Sequence, residues 1–148
     1  MSAETDKARI GFVGVGLMGE GMASRLIGAG HPLTALAHRN RAPLERLMAQ
    51  GAREAMSARV LAQESEVIFL CVTGSPQVEA VMRGPDGILA GARPGLIVAD
   101  CSTADPNSTL ALAAEALDQQ GRVGERLGLL DQGVELLVVP RHRQVEAA

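Results

Sequence analysis

Short apolar runs alternate with amphipathic segments along most of the chain. The run ARIGFVGV ends in glycine, and the segment that follows it has apolar side chains at helical spacing from Leu17 to Gly28. A short apolar run bounded by glycine is typical of a strand buried on both faces of a parallel sheet, whereas a 3.6-residue period indicates an amphipathic helix. This region therefore predicts a strand followed by a helix.

The same alternation continues to Gly121. It predicts strands at PLTALA, AREA, EVIFLCV and GLIVADCS, and helices at APLERLMAQG, SARVLAQES (opened by Ser57), SPQVEAVMRG and DPNSTLALAAEALDQQG. Strands that alternate with helices form parallel sheets with right-handed connections. We therefore predict an α/β, Rossmann-like domain over residues 9–121, with a doubly wound, mostly parallel sheet and helices on both faces.

Two segments fall outside this pattern. Residues 1–8 form a polar N-terminal arm. Residues 122–148 form a divergent tail, in which VELLVVP could add a single strand and the last residues are expected to be disordered.

Composition narrows the functional classes. The chain has 148 residues, of which 47% are hydrophobic, and this is enough for one globular domain. A net charge of −3 and an aromatic content of 1% argue against nucleic-acid binding. No apolar run approaches the roughly 20 residues that span a membrane, and the polar start has no signal core, so we expect a cytoplasmic protein without membrane contact.

The cysteines give no sign of metal chemistry. Cys71 and Cys101 lie on separate apolar runs, with no Cys/His spacing of the kind that binds zinc. We expect both to be buried, reduced thiols, as in a reducing cytoplasm, and we expect no metal site.

Gly14, Gly16 and Gly19 form a GxGxxG motif between the first predicted strand and the first predicted helix. In such a loop the first glycine permits a tight turn, the second lets a pyrophosphate approach the backbone, and the third lets the helix pack closely on the strand. Unpaired N–H groups at the helix start then face the phosphate. The motif could also be a structural turn, but its strand–loop–helix context favours a dinucleotide site.

The second predicted strand is followed by His38, Arg39, Asn40 and Arg41, with no carboxylate among them. A carboxylate about 20 residues after the glycine loop would bind the ribose 2′-hydroxyl of NAD, whereas an arginine can hold the 2′-phosphate of NADP. We therefore expect NADP rather than NAD. The alternative is a solvated basic loop. The missing carboxylate also argues against an S-adenosylmethionine-dependent methyltransferase.

Longer motifs carry a family resemblance. The segments GFVGVGLMGEGMASRLIGAGH, EVIFLCVTGSPQVEAV, GPDGILAGARPG and DCST follow one another between about Arg9 and Gly121. Together they resemble the N-terminal domain of the β-hydroxyacid dehydrogenases, which include 3-hydroxyisobutyrate dehydrogenase, tartronate semialdehyde reductase and the cofactor domain of 6-phosphogluconate dehydrogenase. The resemblance implies an oxidoreductase that uses NADP. It would move a hydride between the cofactor and the carbon that bears the 3-hydroxyl of a small hydroxyacid, which is the carbonyl carbon of the corresponding semialdehyde.

The resemblance also implies roles for single residues. The pyrophosphate would be held by the glycine loop, namely Gly14, Val15, Gly16, Leu17, Met18 and Gly19. The adenosine ribose and its 2′-phosphate would be contacted by His38, Arg39 and Asn40. The nicotinamide half would be contacted by Val72, Thr73 and Thr103, and Ser102 would help to hold the substrate. Alternatively, Ser102, Thr103 and Asp105 are the N-cap of the next helix, and both roles could apply to the same loop.

The second half of the sequence departs from the family pattern. Family members use a lysine on a later helix as the general acid/base, but the only lysine here is Lys7, in the polar arm. The family's glycine-rich substrate loop is also not recognisable after Gly121. We therefore expect no catalytic residue in this chain and no turnover of hydroxyacids by the chain alone.

Three explanations stay open. The chain could be a cofactor domain truncated before the catalytic lysine, for example by a frame change near Gly121. It could be a stand-alone NADP-binding module without catalysis. It could also be a protein-interaction remnant or a homo-oligomer that uses its sheet edge and exposed apolar surface.

Overall fold

The structure, a computed structural model, describes residues 6–103, 105–119, 129–130 and 134–138. Within these ranges the helices are α1 Leu17–Gly28, α2 Ala42–Ala49, α3 Ala58–Glu64, α4 Ser75–Met82, α5 Ile88–Gly91 and α6 Pro106–Gln119. The strands are β1 Ile10–Val13, β2 Leu33–Leu36, β3 Arg53–Glu54, β4 Val67–Leu70, β5 Ile97–Asp100, β6 Leu129–Leu130 and β7 Val134–Val138.

The strands form one sheet in the order β3-β2-β1-β4-β5-β7-β6. The first five strands in that order are parallel, and β7 and β6 continue the sheet in antiparallel pairing. The chain runs outward from β1 to β3 and then crosses to β4 on the other side of β1. This reversal is a topological switch point between β1 and β4, and open α/β sheets bind ligands at the carboxyl ends of the strands at such a point.

The helices lie on both faces of the sheet, as predicted, because each face buries its own apolar cluster. One cluster joins β1 and β2 to α1 and α2 through Phe12, Ala23, Leu44 and Leu47. The other joins β4 and β5 to the remaining helices and includes Leu61, Ile68, Met82, Val98 and Leu112. The predicted Rossmann-like class is therefore confirmed.

Local sequence signals fix several helix starts. The Ser57 hydroxyl accepts a hydrogen bond from the Val60 N–H at 3.2 Å, so Ser57 caps α3 as predicted. Pro43 and Pro76 lie in the first turns of α2 and α4, where a missing N–H costs no helical hydrogen bond. These caps place the loops that precede the helices at the carboxyl edge of the sheet.

Some elements differ from the sequence prediction. The segment VELLVVP does form a strand, β7, whereas the two-residue strand β6 and the four-residue helix α5 were not predicted. Elements this short have too few residues to show a period. The disorder predicted for the last residues lies outside the described part of the chain. Cys71 and Cys101 are free thiols, as expected, but both are half-buried rather than buried.

Across the described ranges, no helix is both long enough and apolar enough to cross a membrane.

Candidate dinucleotide-binding site

The glycine loop connects β1 to α1, and its three glycines have different surroundings. Gly14 has a φ of +92°, and a Cβ built there would collide with the carbonyl group of Cys71. A Cβ on Gly19 would collide with the carbonyl of Gly14 and would lie 3.1 Å from the ring of Phe12. A Cβ on Gly16 would meet nothing within 4 Å. Gly14 and Gly19 are therefore required for the fold of the loop, whereas Gly16 leaves its outer side open.

The start of α1 lies on this open side. Gly16 is the N-cap and carries no capping side chain, and the first helical bond runs from the Glu20 N–H to the Gly16 carbonyl at 2.8 Å. The N–H groups before Glu20 thus have no partner within the helix, and the side chains of Leu17 and Met18 are exposed. Such a helix start attracts an anion through its N–H groups and its dipole.

Glu20 is the acidic side chain in the first turn of α1, and its charge is compensated. The Arg46 guanidinium bonds its two carboxylate oxygens at 2.6 and 2.8 Å, and this pairing holds the pKa of Glu20 below its ordinary value. The carboxylate is therefore ionised but neutralised by its partner, which limits its repulsion of an anion.

The loop after β2 divides into a free part and an anchored part. His38 and Arg39 are exposed, and within the described residues Arg39 forms no ion pair. Asn40 accepts a hydrogen bond from the Ala42 N–H at 3.1 Å, and Arg41 binds Glu54 with two bonds of 2.8 and 2.9 Å. Of the two arginines, Arg39 is thus the one available to a ligand.

The loops after β4 and β5 are tied together by side-chain hydrogen bonds. The Val72 N–H donates to the Ser102 hydroxyl at 2.9 Å, and the Ser102 N–H donates to the Asp100 carboxylate at 2.8 Å. The Asp105 N–H donates to the Ser75 hydroxyl at 2.7 Å. We name this set of bonds, formed by Val72, Ser75, Asp100, Ser102 and Asp105, the loop clasp.

Sequence reasoning did not single out Asp100. This residue is only 6% exposed, and its second carboxylate oxygen has no hydrogen-bond partner in the described part of the chain. The sequence does carry a signal for this role, because Asp100 ends a buried strand and Ser102 follows two residues later. At that spacing an aspartate carboxylate can accept a hydrogen bond from the backbone N–H of the later residue.

The structure tests the N-cap alternative for Ser102, Thr103 and Asp105. The Asp105 carboxylate accepts from the Asn107 N–H at 2.9 Å at the start of α6, so Asp105 acts as the cap. The Ser102 hydroxyl instead accepts from Val72, and the side chains of Thr73 and Thr103 are exposed beside the clasp. The alternative of an N-cap therefore holds for Asp105 and not for Ser102.

A cleft of about 450 Å³, which the sequence did not predict, lies beside the Arg39 loop. Its walls come from the end of β2, the start of α3 and the far half of α4, and include Leu36, Ala37, Met56, Ala80 and Val81. Met56 is 90% exposed at the rim. Its lining combines these apolar side chains with the polar side chains of Ser57, Arg83 and Asp86, and apolar walls with a few polar groups are typical of small-molecule sites.

Other chemical groups lie away from this edge. Lys7 donates to the carbonyl of Ala29, just past the end of the 12-residue helix α1. A helix of that length places Lys7 roughly 18 Å from the glycine loop. In the described part of the chain, no three His, Cys, Asp or Glu side chains are grouped so as to hold a metal ion.

The predicted site residues therefore share one edge of the sheet. The glycine loop, the Arg39 loop and the clasped loops follow β1, β2, β4 and β5, whose carboxyl ends lie side by side. The structure thus offers an anion site at the start of α1, with a free arginine on one side and polar loops on the other.

Comparison with known proteins gives a consistent result. Residues 9–134 match the family described as the NAD binding domain of 6-phosphogluconate dehydrogenase. A probable 3-hydroxyisobutyrate dehydrogenase-like protein of Arabidopsis thaliana is 35% identical over 113 residues, which are 76% of this chain and 38% of that protein.

Solved structures agree with this match. A structure described as Psf3 in complex with NADP+ and 2-OPP has 34% identity and a TM-score of 0.68 over 76% of this chain and 39% of that one. The 3-hydroxyisobutyrate dehydrogenase of Salmonella typhimurium has 30% identity and a TM-score of 0.68 over the same shares of the two chains. The chain spans less than two fifths of the length of each of these relatives. It belongs to the β-hydroxyacid dehydrogenase family and corresponds to that family's NAD(P)-binding domain.

Proposed function

We propose that this chain binds NADP and is the cofactor domain of a 3-hydroxyacid dehydrogenase or semialdehyde reductase. The observation that carries the proposal is the open side of Gly16 at the start of α1, where a pyrophosphate can reach the unpaired N–H groups. In this proposal Gly14 and Gly19 shape the loop, and the N–H groups near Val15, Leu17 and Met18 bind the phosphate oxygens.

The choice of NADP over NAD rests on Arg39. This side chain is exposed and has no ion pair in the described residues, so it can bind the 2′-phosphate without first breaking a contact. His38 and Asn40 flank it, and the adenine ring would occupy the cleft between Ala37 and Val81. The NADP-bound neighbour supports the assignment.

The nicotinamide half would lie on the clasped loops. Val72 and Thr73 follow β4, Thr103 follows β5, and Ser102 holds the two loops together through Val72. NADP supplies or accepts the hydride in this family's reaction. Ser102 would in addition face the substrate, as the resemblance implies.

We infer no catalytic residue in this chain. Its only lysine is Lys7, which is bonded to Ala29 at the opposite edge of the sheet, so it cannot reach a substrate beside Thr103. The 148-residue chain alone should therefore bind the cofactor without turning over hydroxyacids. The cytoplasmic location stays a prediction, and the Arabidopsis relative is mitochondrial by its name.

The test is a fluorescence titration of the purified chain with NADPH and, separately, with NADH. The chain has no Trp or Tyr, so protein emission contributes little background. We expect NADPH to bind more tightly, and Arg39→Ala to weaken NADPH binding by about tenfold or more, because a charge-assisted hydrogen bond contributes about 1.5–3 kcal/mol. NADH binding by the variant should change much less.

Arg41→Ala is the matched control, since it removes the same charge from the same loop. Because Arg41 is engaged by Glu54, its loss should preserve most of the preference for NADPH. If Arg39→Ala and Arg41→Ala reduced the difference between NADPH and NADH affinity equally, this result would contradict the role of Arg39. Binding of neither nucleotide by a chain with normal circular dichroism would contradict the proposed function itself.

A further inference from the structure

Cys71 and Cys101 lie next to each other at the edge of the sheet that carries the candidate site. Each is the first residue after its strand, and β4 and β5 pair with Leu70 opposite Asp100. The backbone ladder continues past both strands, because the Cys71 N–H donates to Val13 at 2.9 Å and the Cys101 N–H donates to Leu70 at 2.8 Å. The two cysteines are therefore in register as neighbours.

Their side chains also share a face of the sheet. Cys71 packs with Val67 and Phe69 against the cluster beneath α1 and α2. Alternation along β5, with Phe69 opposite Ala99, places Cys101 on that same face. Both thiols are free and half-buried, and they are the only cysteines of the chain. Neighbouring strands lie about 4.8 Å apart, which is within the range of Cα separations that a disulfide spans.

We propose that Cys71 and Cys101 form one dithiol modification site, which a small-molecule disulfide converts reversibly into an intramolecular disulfide. The Cys71 thiolate attacks one sulfur of the reagent, forms a mixed disulfide and releases one small thiol. Cys101 then attacks the Cys71 sulfur, which forms the Cys71–Cys101 bond and expels the second small thiol. The two thiol protons end on the two released thiolates, and the reagent takes up both electrons.

The order of attack follows from the surroundings. Burial raises the pKa of the Cys101 thiol, and the nearby Cys71 and Asp100 raise it further. The raised pKa disfavours the thiolate of Cys101, so we assign the first attack to Cys71 and the resolution of the mixed disulfide to Cys101. In a reducing compartment such a bond is transient and reports the redox state.

The modification reaches the dinucleotide site through direct contacts. The carbonyl group of Cys71 packs against the α-carbon of Gly14, and Cys101 precedes Ser102, whose hydroxyl holds Val72. A typical disulfide holds its Cβ atoms about 3.8 Å apart, whereas the Cβ atoms of cross-strand neighbours lie about 4.5–5.5 Å apart, so oxidation draws the two Cβ atoms together by roughly 1 Å. This movement would displace the glycine loop and the loop clasp. The effect on binding, unlike disulfide formation itself, rests on the proposed function.

The experiment equilibrates the reduced 148-residue chain with oxidised and reduced glutathione, quenches with acid, alkylates free thiols, and determines the mass. We expect wild-type protein to lose both alkylatable thiols together as a monomer, with a Cys71–Cys101 peptide after proteolysis. Cys71→Ser and Cys101→Ser should each instead carry one glutathione. NADPH titration of the oxidised chain should show about five- to tenfold weaker binding, at the low end of typical couplings between sites. Dithiothreitol should restore the binding.

The double variant Cys71→Ser/Cys101→Ser is the control, and its NADPH affinity should be the same with and without oxidant. Stable glutathione adducts on wild-type Cys71 and Cys101, or disulfide-linked dimers, would overturn the dithiol site. A Cys71–Cys101 bond without loss of affinity would overturn the coupling to the dinucleotide site. If the reduced chain bound no nucleotide, the proposed function and the coupling would fail, and the masses would still decide on the dithiol.

Discussion

The glycines in the loop after β1 differ in what their α-carbons face. Because of this difference, one glycine is important for the stability of the fold and another for the binding of a ligand. Gly19 packs against the carbonyl of Gly14, whereas Gly16 faces open space. The sequence motif predicted both roles, because the physical requirements of the loop are local to it. The same sequence could not identify the partner of Ser102, since Val72 lies 30 residues away and the hydrogen bond depends on how β4 and β5 pair.

Gly16→Ala and Gly19→Ala should therefore fail in different ways. We expect Gly16→Ala to change the free energy of unfolding by less than about 1 kcal/mol, yet to weaken NADPH binding strongly, because its methyl group would occupy the position that we propose for the pyrophosphate. Gly19→Ala should destabilise the fold by about 1–3 kcal/mol, as overpacking does. Denaturant unfolding and NADPH titration measure the two effects. If both variants bound NADPH as tightly as the wild type, this result would contradict the position assigned to the pyrophosphate.

Whole elements were predicted best where their pattern extends over many residues. The bounds of α1 agree with the predicted range, and α6 begins one residue after the capping Asp105. Helix α5 escaped prediction because four residues between turns carry no period. The loop clasp escaped it too, because it links the ends of two strands through side chains of two separate loops.

The loop clasp predicts an effect confined to one half of the nucleotide. Ser102→Ala removes the acceptor of the Val72 N–H, so the two loops that we propose to hold the nicotinamide half lose their fixed spacing. We expect NADPH to bind about tenfold more weakly, while 2′,5′-ADP, which carries only the adenosine half, binds as before. Isothermal titration calorimetry measures both affinities.

Ser108→Ala is the matched control for this variant. It removes a serine hydroxyl that donates to Glu79 at 2.6 Å, about one helical turn along α4 and α6 from the clasp bond between Asp105 and Ser75. Both ligands should bind this variant normally. If Ser102→Ala weakened 2′,5′-ADP as much as NADPH, the clasp would be a general stabilising contact rather than a support for the nicotinamide half.

Across the whole molecule, the parallel core could be foreseen and its antiparallel extension could not. Alternation of strands and helices with right-handed connections predicts the five parallel strands. The pattern of the tail identified β7 as a strand, but an apolar run does not reveal which sheet edge it joins or in which direction. The same applies to surface ion pairs that join elements distant in sequence, such as Glu20 in α1 with Arg46 in α2.

Because of these ion pairs, we expect the thermal stability of the protein to decrease in acid. Hydrogen bonds from Arg46, Arg41 and Arg83 lower the pKa values of Glu20, Glu54 and Glu115 below their ordinary value of 4.5. Groups with lowered pKa values in the folded state stabilise it above their unfolded pKa, and this stabilisation is lost as pH falls through the folded values. We therefore expect the Tm to be steady near neutral pH and to fall as the solution is acidified below about pH 5.

The triple variant of Glu20, Glu54 and Glu115 to Gln tests the cause. Its Tm should lie lower at neutral pH and should depend less on pH, because the titrating partners are gone. Added salt should weaken the effect in wild-type protein, since these pairs are at the surface. An unchanged pH profile in the triple variant would assign the acid sensitivity to other groups.

The anchoring of the loop after β2 has a consequence for how this protein can change over evolutionary time. Asn40 and Arg41 secure the far end of the loop to α2 and β3, while His38 and Arg39 project from it without contributing to the apolar core. Substitutions at these two exposed positions are therefore nearly neutral for folding. With the nucleotide preference set by Arg39, as we propose, a lineage could exchange one preference for another there in a few steps, without passing through unstable intermediates, and the same freedom is open to a protein engineer.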